Sequence, residues 1–425
     1  MNRKPSREQG SILLGVLGIV FLSAGLAATI LTVSSSHRRV AVRQTQLEQA
    51  LYVAEGAVER AVRYLEANIG TIGSSYSTTG SLGSGTFTYT ILRSNTTTFS
   101  ISATGFVGNV HRRVSLLRVY QPTYAKYALW SRVNGVIYFK SGEQFNGHVH
   151  SDDQLYFTGN PVFYAPVTSG ASSYGGSIAN VTFHEGFELN AYEGTMADVD
   201  FNSSASTSLR NVAQANGVVL EGNTTITFNG TSVRITNPRA GWNNYNYVPT
   251  AEGIIYVRTS TSGDTSTRPG RIFLQGGNVS GRLTVVAEED IMVRGHIDYT
   301  SDPRVNSSST DALGLIAGDD VWVDTTAPNN LRISAAIMAT GKLSSGDPGS
   351  FGVVNFNSGP PRGTLYVYGG IIQDTRGAVG TFSGSSMVSG YDKDYSYDPR
   401  FIERPPPYYP AVSGKLEYTN WSEGR

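Results

Sequence analysis

The chain contains no cysteine in 425 residues. That excludes a disulfide framework, a thiol nucleophile and any Cys-based zinc or iron–sulfur site, and leaves the compartment open. Charge is also scarce. Asp, Glu, Lys and Arg make up 16% of the chain, against roughly 25% in ordinary soluble domains. Long solvent-facing helices and disordered tracts both call for more charge than this. No G-x-S-x-G, P-loop or dinucleotide fingerprint stands in its required context, and HExxH is absent. What the chain does have is 48 Gly and 24 Tyr. This composition suits many short strands joined by tight turns, with polar but uncharged surfaces.

The 33 basic and 33 acidic residues cancel, but not locally. Residues 1–120 carry 12 Lys/Arg and 5 Asp/Glu, a net of +7; residues 121–425 carry 21 and 28, a net of −7. Such asymmetry marks parts with separate jobs.

Ser11–Val33 is a run of uncharged residues without a polar stripe. As a helix it is about 35 Å long, enough to cross a hydrocarbon core of about 30 Å. The run is longer than the apolar region of a cleaved secretory signal, and no A-x-A-like site follows it. Arg3, Lys4 and Arg7 precede it; Arg38, Arg39 and Arg43 follow it. The positive-inside rule is close to a tie. The large following part is therefore what points to export. Leu47, Leu51, Ala54, Val58, Ala61 or Val62, and Leu65 recur at three and four, so the helix is expected to continue with one apolar stripe to about Asn68, with Gly70 as its stop. Thr86–Arg93, Thr98–Phe106 and Arg112–Tyr120 alternate with period two and predict an antiparallel meander packed on that stripe.

A short basic leader ending at Gly10, the uncharged helix, QLEQALYVAEGAVERAVRYL and a meander follow in that order. This arrangement resembles the PilX/GspK-like minor pilins of type IV pilus systems. RKPSREQG is similar to a class III prepilin leader, and the resemblance implies cleavage by a prepilin peptidase between Gly10 and Ser11. It also implies an inner-membrane helix that packs among other pilins. Major pilins usually carry Glu at the fifth mature position, where this chain has Gly15. In the family that carboxylate is thought to meet the N-terminal amine of a neighbouring subunit. A tip subunit would not need it; a simple bitopic anchor is the plainer alternative.

Beyond Pro122 short β-rich runs recur, bounded by Gly, Asn, Asp or Ser. LTVVAEEDIMV (Leu283–Val293) aligns with LGLIAGDDVWV (Leu313–Val323) at an offset of 30, and ISAAIMATG and LYVYGGIIQ read as looser copies. Such repeats point to stacked coils. This part is similar to an uncharacterised exported domain found fused to PilX-type N-termini, on YAKYALWS, FNGHVHSDDQLYFTGNPVFYAPVTS and YDPRFIERPPPYYP. The terminal KLEYTNWSE alternates like a strand and is expected to return to the meander. The expected fold is α+β: a pilin-like module of long helix and meander, with a large all-β domain read as a parallel β-helix or solenoid. A β-sandwich is the alternative. The expected divisions are leader 1–10, membrane part 11–33, amphipathic helix 34–70, meander 80–120, inserted β domain 121–413 and returning strand 414–425.

Two clusters offer metal chemistry. His148, His150 and Asp152 alternate in HVHSD and are candidate zinc or copper ligands. Glu288, Glu289 and Asp290 recur one coil later as Asp319 and Asp320, a stack that Ca²⁺ could use, although the calcium nonapeptide repeat is missing. The same carboxylates are the candidates for a remote alternative, polysaccharide cleavage. The bland reading of both clusters is turn-making. Tyr397, Tyr408 and Tyr409 beside Pro405–Pro407 form a candidate glycan or partner patch, or else a cap on the last coil. The main expectation is a non-catalytic, membrane-anchored minor pilin with its β domain at or near a fibre tip on the bacterial surface, with no required cofactor. The alternative is an adhesin or a receptor for DNA uptake; the net of −7 argues against DNA.

Overall fold

The structure, a computed structural model, describes residues 8–69, 71–94, 98–193, 199–260, 270–341, 348–383, 386–412 and 416–424. Most of the expected leader and the expected stop at Gly70 lie outside them. The chain divides into two compact units, Met1–Val119 with Tyr418–Arg425, and Tyr120–Glu417.

In the first unit one helix, α1, runs Glu8–Asn68. Gly10 and Ser11 lie on its first turn. Every residue from Leu13 to Thr45 is exposed, Gly15 included. No Gly or Pro interrupts the stretch from Ala50 to Glu55, and Ala50, Val53, Ala54, Ala57, Val58, Ala61 and Leu65 are buried. Ala54, Val58 and Leu65 of the expected stripe are thus central, whereas Leu47 and Leu51 only flank it. The buried face is rotated toward the alanines because small residues let a sheet come close. Gly105 makes the closest approach: a Cβ there would collide with the Ala50 carbonyl and lie 2.6 Å from the Ala54 nitrogen.

That sheet is antiparallel through β1 (Ser75–Leu82), β2 (Gly85–Arg93), β3 (Thr98–Val107) and β4 (Val110–Tyr120). The final strand, Glu417–Gly424, lies beside β4. β1 falls in a Gly/Ser/Thr stretch ahead of the three strands predicted from alternation. It is an edge strand with no buried residue. Tyr76 anchors it by stacking on Tyr64 at 4.1 Å, and Gly80 leaves room for the Phe87 ring.

The second unit is built mainly from parallel pairs. One ladder reads, in spatial order, Phe187–Leu189, Val167–Ser169, His148–Ser151, β5 (Tyr127–Val133), Pro361–Thr375, Arg332–Ala339, Ala312–Ala317, Arg282–Ala287, Glu252–Arg258 and Val218–Glu221. A second joins Ile272–Val279, Ile291–Val293, Val321–Val323 and Phe351–Val353. Leu283 pairs with Leu313 and Ile291 with Val321, the offset of 30 read from the sequence. A β-sandwich would be antiparallel; here, among the described residues, antiparallel strand pairs occur in the hairpins over 224–247 and 380–396, with one isolated antiparallel bridge between Thr123 and Ala411.

Spatial order departs from chain order at one place. β5, the first long strand of the unit, pairs with Pro361–Thr375, one of the last. The following rungs stack outward from β5, and the chain then crosses to Val218–Glu221 through α2 (Leu209–Asn216). Ser208 caps α2 by accepting from the Asn211 amide. At two turns, α2 is too short to stand out as an amphipathic pattern.

The long ladder is buried on both faces. Leu129, Ile255, Val285, Leu315, Ile337 and Ile371 point into one core, which an aromatic stack of Phe139, Phe145, Phe157 and Phe163 extends. Their neighbours Trp130, Tyr256, Val286, Ile316, Met338 and Ile372 point into a second core with Leu209, Tyr397, Phe401 and Tyr409. Parallel sheets covered on both sides carry such near-continuous apolar runs.

Candidate functional site

The acidic turns come together. Asp290, Asp319 and Asp320 are buried, and one oxygen from each lies within 4.8 Å of the others. The parallel register does this, because Asp290 and Asp320 each precede paired residues, Ile291 and Val321. The donors are already engaged. Arg271 Nε donates to Asp290 Oδ2 at 2.6 Å, and the Ser350 amide donates to Asp320 Oδ1 at 2.8 Å. Burial pushes the Asp320 carboxyl up to about 6, with Asp319 and Asp290 adding repulsion and the Ser350 amide opposing it. Glu288 and Glu289 turn away. Glu288 accepts from the Tyr256 hydroxyl at 2.6 Å and the Thr259 amide at 2.8 Å, and Glu289 accepts from the Thr259 hydroxyl. Ca²⁺ takes six to eight oxygens. Three carboxylates, one held by a guanidinium and one by an amide, are a poor match. Being buried, they are not presented to a polysaccharide either.

His148, His150 and Asp152 are joined through a residue the sequence did not single out. Thr168, in register with His150 on the next rung, lies 3.0 Å from His148 Nε2 and 2.7 Å from His150 Nδ1. His150 Nε2 is 2.9 Å from Asp152 Oδ1. One proton arrangement satisfies all three contacts. His148 Nε2–H donates to Thr168, the Thr168 hydroxyl donates to His150 Nδ1, and His150 Nε2–H donates to Asp152. Burial brings His148 down to about 4, against the pull of Glu193 and with Lys126 and His150 lowering it further. Both His150 nitrogens are therefore occupied, so the ring has no lone pair for a metal. An Asp–His–Thr chain is also the wiring of an activated hydroxyl. Here the Thr168 hydroxyl is buried and held by a second imidazole, with no open side for a substrate. The expected metal site is a structural network beneath Trp130 and Tyr127.

Of the two readings of the tyrosine segment, exposed patch or cap, its burial fits the cap. Tyr397 and Tyr409 are buried, each about 3% exposed, and Tyr408 is half-buried. Tyr397 donates its hydroxyl to the Ala125 carbonyl at 3.0 Å, and its ring fills the place a Cβ on Gly147 would take. The carbonyls of Pro405 and Pro407 accept from Arg282 and Thr284. Residues 397–412 thus clamp the outer face of the ladder.

An open cleft of about 460 Å³ lies elsewhere, lined by Gln144, Tyr164, Tyr366, Asp392 and Asp394. At its floor Lys393 pairs with Glu143 at 2.6 Å, and burial pushes the Lys393 amine down. Tyr164 and Tyr366 expose 46% and 39% of their surface. No local signal marked these residues. Their strands are far apart in sequence and meet only through the β5 crossover.

A family model described as a domain of unknown function (DUF4900) matches residues 94–172. No curated protein matches the chain. Among solved structures, the crystal structure of the competence-associated pilin ComZ from Thermus thermophilus is similar at 13% identity, with a TM-score of 0.36, over 89% of this chain and 98% of that one.

Proposed function

We propose that the chain is a non-catalytic minor pilin or pilus-assembly subunit. Its N-terminal helix is inserted in the bacterial inner membrane before assembly and packs among other pilin helices afterwards. Its large domain, read as a parallel β-solenoid, faces outward at or near a fibre tip, where Gly15 in place of an acidic residue is tolerated. The observation that carries this reading is α1 itself. It is apolar and unpacked over 13–33, then continues without a break into a small-residue face covered by a one-sided antiparallel sheet. A soluble core helix would have its apolar half buried. N-terminal mass spectrometry after expression with a prepilin peptidase tests it. Mature protein should begin at Ser11. An intact Met1, or a cut beyond Val33, would overturn the reading.

A second reading, adhesion to a neutral glycan, is favoured by the Tyr164–Tyr366 cleft. Exposed aromatic faces flanked by carboxylate and amide groups suit stacked, hydroxyl-rich rings. Retention of the full chain on immobilised neutral polysaccharide should fall severalfold in Tyr164→Ala and Tyr366→Ala. Unchanged retention rejects it.

A further inference from the structure

The first unit holds a basic pocket that the pilin reading does not use. Arg38, Arg39, Val42, Arg43 and Gln46 line one side of a concavity of about 460 Å³, and Asn109 and Val110 line the other. Arg39 and Arg43, four apart, are neighbours on one face of α1, and Arg38 lies at the edge of that face. The opposite wall is the β3–β4 turn, held against the helix at Gly108, where a Cβ would lie 3.1 Å from Gln46 Nε2. Arg38, Arg39 and Arg43 are exposed, and among the described residues no carboxylate or carbonyl accepts from them. No acidic residue occurs between Ser11 and Leu47; the first is Glu48.

Position supplies the second argument. The apolar run ends at Val33. At 1.5 Å per residue, Arg38 lies about 7.5 Å beyond it and Arg43 about 15 Å. Side chains on a helix lean toward its N-terminus, here toward the membrane. A guanidinium on a long stem therefore reaches back to headgroup level. A planar fork of donors matches phosphate oxygens two at a time.

We propose that Arg38, Arg39 and Arg43, facing the Gly108–Val110 turn, form a seat for the phosphate of an anionic phospholipid headgroup. The site steadies α1 at the membrane surface and sets how deep it sits. The proposal rests on reading Ser11–Val33 as a membrane span.

The test reconstitutes the full chain into vesicles of phosphatidylcholine with a minor share of phosphatidylglycerol. Protein is then extracted in mild detergent and the retained lipid is counted by mass spectrometry. Insertion is scored separately by resistance to alkaline extraction. A basic residue near an anionic surface is worth about fivefold in affinity, so the three arginines should enrich phosphatidylglycerol at least tenfold. The triple variant R38Q/R39Q/R43Q should bring enrichment to parity while insertion is unchanged. The matching Arg→Lys triple, which keeps the charge and loses the fork, should keep only part of it. Enrichment that survives in the glutamine variant, or never occurs, overturns the proposal. Arginine-dependent self-association without lipid enrichment overturns it in favour of the carboxylates of a second copy. Failure to insert into any vesicle overturns the membrane reading instead.

Discussion

The sheet of the first unit hides one face, and the long ladder of the second hides both. In β2 burial alternates, with Phe87, Tyr89 and Ile91 buried while Thr86 and Leu92 are exposed. In Ala312–Ala317 every residue is buried. The difference lies in what covers the second face. The antiparallel sheet meets one helix on one side. The parallel ladder has aliphatic rungs inside, and α2 and residues 397–412 outside. A strand's sequence therefore records its surroundings more than its pairing partner. The alternating pattern belongs to a sheet that water can reach, and the continuous run to one that it cannot.

The sharpest way to break this comparison is to place one polar residue on the outer face of each sheet. Ile316→Ser puts a hydroxyl between Val286 and Met338, its register partners on the two neighbouring strands, and removes most of a buried aliphatic chain. It should cost about 4–5 kcal/mol, a cavity cost plus an unsatisfied hydroxyl. Leu92→Ser, at a site 49% exposed, should change stability by under about 0.5 kcal/mol. Urea unfolding of the detergent-solubilised chain, followed by tryptophan fluorescence and circular dichroism, reads both. A cost for Ile316→Ser below about 1 kcal/mol would mean that the outer face is open to water.

A smaller effect sharpens the one-sided sheet. Gly105 lies where β3 touches the backbone of α1, so Gly105→Ala forces the helix away and should cost about 2–3 kcal/mol. Gly73 has nothing within 4 Å of an added Cβ, and Gly73→Ala should be neutral or slightly stabilising. Equal melting temperatures for the two variants would show that the helix does not rest on the sheet through Gly105.

Much of this was legible in the sequence, for local reasons. The offset of 30 between Leu283–Val293 and Leu313–Val323 is the ladder register itself, since each rung must bury the same positions. The continuation of the helix beyond Val33 and the meander were read from period alone. The faces of His148 and His150 were also legible, because both point the same way. Which face is covered was not. That depends on Thr168, Trp130 and Tyr127, which reach the histidines from other strands. Tyr397 and Tyr409 stayed undecided for a similar reason: a Tyr/Pro segment reads the same as an exposed patch or as a clamp. Nothing in the sequence between 134 and 360 signals that β5 stacks on Pro361–Thr375. Non-local parallel pairing leaves no adjacent pattern, and the cleft at Tyr164 and Tyr366 follows from it.

The smallest expected effect is a cancellation inside the covered unit. His148 is held near 4 in the fold, below its ordinary 6.5. Between those values the unfolded chain binds more protons, so this group makes stability rise with pH and loses that contribution as pH falls through the window. Asp320 is raised from 3.8 to about 6. There the folded chain binds more protons, and stability falls as pH rises. Each window is worth up to about 3 kcal/mol at 1.36 kcal/mol per tenfold change in proton affinity. Between pH 4 and 6 the two act in opposite directions, and their sum in the wild type should be under about 1 kcal/mol. Asp320→Asn keeps an oxygen for the Ser350 amide and removes the titration. Relative to wild type, its stability should climb by about 2–3 kcal/mol from pH 4 to 6. His148→Gln should tilt the other way. Differences from wild type remove the other titrating groups from the comparison, and urea midpoints at several pH values supply them. Parallel pH profiles for Asp320→Asn and wild type would mean that water reaches the acidic turn, and the contrast between an open sheet and a covered ladder would then fail at its buried carboxylates.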